Sequence, residues 1–177
     1  MALKNNVLTP SLINSFLILT ALAITCTACK ISYSMSGATT TGLKTVSVQY
    51  IQNRASLVQP LLSQNLTEAL IDKCKAQTNL QLVSGLGDAN FEGEISDYKT
   101  ATLTISGDAR AAVNRFTISV RIRFTNSLFP ENSFDQTFSR YEDYDSNRDL
   151  SQVEDDLSKK IVELLVEDIF NRAFVNW

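Results

Sequence analysis

The sequence predicts an α+β fold in two layers, with two helices packed on one face of a four-stranded, mainly antiparallel sheet in the order β-α-β-β-β-α. Three observations predict it. In "NRFTISVRIRFTN", Phe116, Ile118, Val120, Ile122 and Phe124 alternate without a break with polar residues, as only a strand buried on one face requires. The segments after Pro60 and after Ser151 instead carry apolar residues every three or four positions, the period of an amphipathic helix. A half-apolar sheet and two helices with one apolar stripe each are buried most simply by laying both helices on the apolar face. The other sheet face is then polar.

The chain opens with a leader. Lys4 and the amino terminus form a weak positive region, and Leu12 to Ile24 is apolar apart from small polar residues, the layout of a secretory signal peptide. In "LILTALAITCTACKISYS" the apolar run gives way at once to polar residues, so it is short for a membrane span. Ala28-Cys29 has the small residue then cysteine at which lipoprotein signal peptidase cuts, and Cys29 is favoured over Cys26 as the lipidated residue. Residues 1–28 are thus expected to be a signal peptide, 29–43 the lipidated cysteine with a polar tether, and 44–177 one domain.

Within the domain, "KTVSVQYI" alternates Val46, Val48 and Tyr50 with Thr45, Ser47 and Gln49, giving the first strand. The first helix follows Pro60, a residue suited to a first turn, with Leu62, Leu66, Ala69, Leu70 and Cys74 on its apolar side. After "LQLV" and the Gly85–Asp88 turn, "ANFEGEISDYKTATLTI" reads as the second strand, with Phe91 and Ile95 on one side and Glu92, Glu94, Ser96 and Tyr98 on the other. "NRFTISVRIRFTN", the loop "SLFPEN" and "SFDQTFSRYEDY", with Phe134 and Phe138 on one face, form a hairpin of the third and fourth strands. Ser151 and Glu154 have capping-box spacing ahead of a stripe of Val153, Leu157, Ile161, Leu164 and Ile169, giving a second helix that runs almost to Trp177.

Charge and composition exclude several functions. The 16 basic and 19 acidic residues are mixed along the chain, and no basic block suggests nucleic acid. Histidine is absent, which removes Ser-His-Asp, Cys-His and histidine-metal mechanisms. Cys26 and Cys29 sit at the end of a leader rather than in a folded metal or redox site, and Cys74 is expected to pack as a small hydrophobe without a disulfide. No metal or other cofactor is therefore expected. Asp143, Asp145, Asn147, Asp149 and Glu154 occupy positions 1, 3, 5, 7 and 12 of an EF-hand-like loop. However, Arg148 stands where that loop demands glycine, and a strand precedes it, so a strand-to-helix turn is the simpler reading. Glu92 and Glu94 share one strand face and admit a carboxylate-pair hydrolase, against cross-strand pairing with Arg121 or Arg123. Arg115, Arg121 and Arg123 on the polar sheet face can meet phosphate or carboxylate bidentately, or simply keep that face soluble.

The lipobox cysteine followed by "KISYSMSGA", the strand "KTVSVQYIQNRA", the helix opening "PLLSQNLTEAL", the strand "FEGEISDY" and the terminal "VEDIFNRAFVNW" together resemble the LptE family, the lipopolysaccharide-assembly lipoproteins. The resemblance covers nearly the whole mature chain. It implies a lipid-anchored protein on the periplasmic face of the outer membrane that plugs and helps assemble an LptD-like β-barrel and assists lipopolysaccharide delivery to the cell surface. The implied partners are that barrel, lipopolysaccharide and the outer membrane, and no catalysis is implied. Arg115, Arg121 and Arg123 are the candidate contacts to lipopolysaccharide or barrel, chosen from strand geometry. Two other readings stay open: a lipid-anchored periplasmic hydrolase and an outer-membrane lipoprotein with another binding role. A deep pocket with converging Glu92 and Glu94 favours the hydrolase, and a shallow surface favours the plug.

Overall fold

The computed structural model describes residues 38, 40–56, 59–103 and 113–175. Its elements are β1 (Thr45–Val48), β2 (Gln52–Asn53), α1 (Leu62–Gln77), β3 (Gln81–Leu82), β4 (Ala89–Leu103), β5 (Val113–Asn126), a single 3-10 turn (Pro130–Asn132), β6 (Phe134–Asp145) and α2 (Leu150–Phe174). The leader, with Cys26 and Cys29, and Trp177 lie outside the described residues.

One sheet carries the strands in the order β3-β1-β4-β5-β6, and β2 continues beside β4 where β1 stops. The long strands β4, β5 and β6 pair antiparallel, whereas β1 pairs parallel with β3 and β4, and β2 parallel with β4. The architecture read from the sequence therefore holds, with two two-residue strands added to the expected four. Both additions are too short to show a period.

Every apolar residue of the β5 alternation is fully buried, and both helices lie on that side. From α1 come Leu62, Leu66, Leu70 and Cys74, and from α2 Val153, Leu157, Ile161, Leu165, Ile169, Phe170 and Phe174. Burial among these groups pushes the Cys74 thiol up to about 12, so it stays protonated and packs as a small hydrophobe. Ion pairs fasten the helices outside the core: Lys73 of α1 to Glu167 of α2, and Arg140 of β6 to Asp168 of α2, the latter bidentate at 2.6 Å through both nitrogens.

Five local expectations are corrected. The chain takes four steps from Val48 to Gln52 while only three lead from Phe91 to Glu94 opposite, so one extra residue inverts the alternation. Tyr50 is consequently turned outward, 58% exposed, and Ile51 is buried in its place. A bulge between Ile95 and Asp97 does the same to β4 and brings Tyr98 to the helix side, where it meets Phe116 edge-on and donates its hydroxyl to Glu154 of α2. Burial first, and that carboxylate second, raise the Tyr98 pKa. Because Glu154 is engaged there and Asp149 is the N-cap residue, Ser151 and Glu154 form no capping box. Leu164 is 41% exposed and Leu165 takes its place on the α2 stripe. Pro60 stands just before the helix, whose N-cap residue is Leu61.

Candidate functional site

The sheet face away from the helices is polar and, among the described residues, uncovered, and it is built by alternation. Each of Arg115, Thr117, Ser119, Arg121, Arg123 and Thr125 neighbours a buried apolar residue of β5, so all six must point outward. The antiparallel register sets Glu92 and Glu94 of β4 opposite Arg123 and Arg121, and Asp143 and Asp135 of β6 opposite Arg115 and Arg123.

The three arginines are held differently. Arg115 grips Asp143 through Nε and Nη2 at 2.8 and 2.9 Å and stacks 3.6 Å over the Tyr141 ring, so its planar group is used on both edge and face. Arg121 reaches diagonally to Asp135, donating from Nε and Nη2 at 2.8 and 3.0 Å. Arg123 donates one longer bond, 3.3 Å, to the same carboxylate. Arg123 is therefore the least committed of the three.

The acids beside them are also engaged. Glu94 pairs at 3.0 Å with Arg54, which follows β2, rather than with the arginine opposite, and Glu92 accepts from the Asn90 side chain at 2.8 Å. Arg54, Glu92, Glu94, Arg121, Arg123 and Asp135, with Tyr50 and Leu86 beside them, line an open depression of about 780 Å³. Sequence reasoning brought Glu92, Glu94, Arg121 and Arg123 together correctly. It missed Arg54, Tyr50 and Asp135, the first two because two-residue β2 and its parallel pairing leave no local signature.

The acidic loop does not converge as a cation site. Asp143 turns to Arg115, Asp145 accepts the Asn147 amide in a tight turn, Asp149 starts α2, and Glu154 faces Tyr98. Among the described residues no group of three metal-ligating side chains comes together.

The guanidinium of Arg121 holds Asp135, and that of Arg115 holds Asp143, below the usual carboxylate range; Lys44 and Thr45, at the start of β1, do the same for Asp88 just before β4. A carboxylate with a depressed folded pKa contributes stability above its unfolded value of about 4, lost as pH falls through the lower folded value. The melting temperature is therefore expected to be level from pH 7 to 5 and to drop between about pH 4 and 2, less steeply in Asp135→Asn. A midpoint unchanged down to pH 2.5 would contradict this account.

The family described as LptE, lipopolysaccharide-assembly, matches residues 43–173. No curated protein matches the chain. Among solved structures, a putative neuraminyllactose-binding hemagglutinin homolog from Helicobacter pylori superposes with TM-score 0.51 at 8% identity, covering 79% of this chain and 88% of that one. A hypothetical protein from Chlamydia trachomatis gives TM-score 0.50 at 11% identity over 76% and 99%. At such identities the likeness is one of fold. Rare lipoprotein B from Shewanella oneidensis gives TM-score 0.47 at 11% identity over 73% and 90%. With the family match running from two residues before β1 almost to the end of α2, the chain belongs to the LptE lipopolysaccharide-assembly family.

Proposed function

We propose that the protein is an outer-membrane lipoprotein, anchored on the periplasmic face through Cys29, that plugs and helps assemble an LptD-like β-barrel and assists lipopolysaccharide delivery. Among the described residues no helix is long and apolar enough to cross a membrane, and the proposed anchor is the set of acyl chains on Cys29. The observation that carries the reading is the uncovered polar sheet face. The lumen of a transmembrane barrel is polar, and a plug must show it a polar surface whose charges are already paired. The Arg115–Asp143 and Arg121–Asp135 pairs supply such a surface.

The hydrolase reading has no comparable support. Glu92 and Glu94 are tied to Asn90 and Arg54 on an open face instead of converging in a deep pocket. The protein is proposed to act without catalysis.

Two measurements test the plug. Clean depletion is expected to lower the amount of assembled barrel and make the outer membrane leaky to large antibiotics. The double variant Arg121→Ala, Arg123→Ala, at exposed positions, is expected to stay folded. Less co-purified barrel with unchanged lipopolysaccharide binding assigns the arginines to the lumen wall. Weaker lipopolysaccharide binding with a flatter salt dependence assigns them to the cargo. Normal barrel levels and an intact permeability barrier after depletion would refute the plug.

A further inference from the structure

We infer that the open depression beside Tyr50 is a binding site for a neutral saccharide. The chain departs from regular pairing to build it. The extra residue between β1 and β2 turns Tyr50 out of the core-facing alternation and onto the rim, and bulges commonly re-aim side chains in this way. On the other side the β3–β4 connection lies directly on β1, because a Cβ at Gly87 would stand 3.0 Å from the backbone of Val46 and Ser47. That close approach presents Leu86, 80% exposed, at the same rim. Tyr141 is capped by Arg115, whereas Tyr50 has no cation stacked on its ring among the described residues.

Charge decides the ligand class. Arg54, Arg121 and Arg123 face Glu92, Glu94 and Asp135, so the lining sums to zero, and each guanidinium already has a carboxylate beside it. An anion would meet the carboxylates and a cation the arginines. Hydroxyl groups, each both donor and acceptor, suit alternating guanidinium and carboxylate edges. Arg123 uses one nitrogen and Glu92 one oxygen within the protein, leaving donors and acceptors for them. Tyr50 and Leu86 offer the apolar platform that the C–H face of a sugar ring covers, and the volume is that of a small-molecule site. The inference stands on this geometry and not on the barrel assignment.

The test uses the full chain in a sugar-free detergent, with saturation-transfer NMR and titration calorimetry. Two probes separate the sources of such a ligand: a neutral core oligosaccharide released from lipopolysaccharide and freed of phosphate and of acidic sugars, and an N-acetylglucosamine tetrasaccharide standing for cell-wall glycan. At least one is expected to bind with little salt dependence, unaffected by inorganic phosphate. Tyr50→Ala should weaken binding about tenfold and Tyr50→Phe should retain it. If Tyr50→Ala melts early, Leu86→Ser reports on the same rim and should also weaken binding. Binding of either probe alone supports the site and names the source. No binding of either probe, displacement by inorganic phosphate, or unchanged affinity in Leu86→Ser and a folded Tyr50→Ala would overturn it.

Discussion

Phe124→Ala is expected to destabilise the protein by about 3–5 kcal/mol, the range for truncating a buried aromatic residue, and to lower the melting temperature by about 10–20 °C. Phe124 is fully buried near the end of β5, where β4, β6 and the last turns of α2 converge. Its ring centroid lies 4.8 Å from Phe91, 5.4 Å from Phe134 and 5.6 Å from Phe174, and Phe174 in turn touches Phe91 and Phe170. Truncation removes the one ring shared by β4, β6 and α2, so no single neighbour can swing in to fill the gap. Each tilted or edge-on pair adds about 0.5–1.5 kcal/mol beyond area burial, which places the cost toward the upper end. Phe124→Leu, which keeps most of the volume, is expected to cost about 1–2 kcal/mol. Denaturant melts read both values. An alanine variant within about 1 kcal/mol of the wild type would mean that the cluster repacks freely.

Legibility followed one physical condition. Where one face is buried along an unbroken alternation, as in β5, a one-residue slip would expose every phenylalanine and isoleucine, so pattern and structure had to agree. Tyr50 and Tyr98 each lie after an inserted residue that inverts the alternation, and tyrosine tolerates either face, so the sequence around them reads the same both ways. Leu164 and Leu165 are adjacent and equally apolar, and only the direction of α2 across β5 and β6 decides which is buried. The Ser151–Glu154 spacing failed as a cap because Tyr98 competes for the glutamate from another element. The same distinction governs the site. Arg115, Arg121 and Arg123 were legible because they share a strand, while Arg54 and Tyr50 reach the face only through the parallel β2–β4 pairing.

Gly93→Ala is expected to destabilise by about 3 kcal/mol, although two opposing effects meet at this position. Replacing glycine in an extended strand ordinarily stabilises by about 0.4–1 kcal/mol, because the unfolded chain loses freedom. Here a Cβ would stand 2.5 Å from the Arg121 carbonyl oxygen and 2.7 Å from Ile122 Cδ1. The isoleucine can turn, but the carbonyl is backbone of the interior strand β5, held by β4 on one side and β6 on the other. Overpacking against atoms that cannot move costs about 1–3 kcal/mol or more, so the clash wins and β4 must part from β5. That parting would also disturb the functional face, because the Gly93–Ile122 register is what aligns Glu92 with Arg123 and Glu94 with Arg121. Gly85→Ala serves as the control: nothing lies within 4 Å of its Cβ, and it is expected to be neutral or stabilising by up to about 1 kcal/mol. Urea melts on both variants, paired with co-purification of the barrel, check the two halves of the argument. A Gly93→Ala protein with the wild-type midpoint would mean that β4 slides along β5 at no cost. The register holding Glu94 opposite Arg121 would then no longer be the fixed frame on which the site is built.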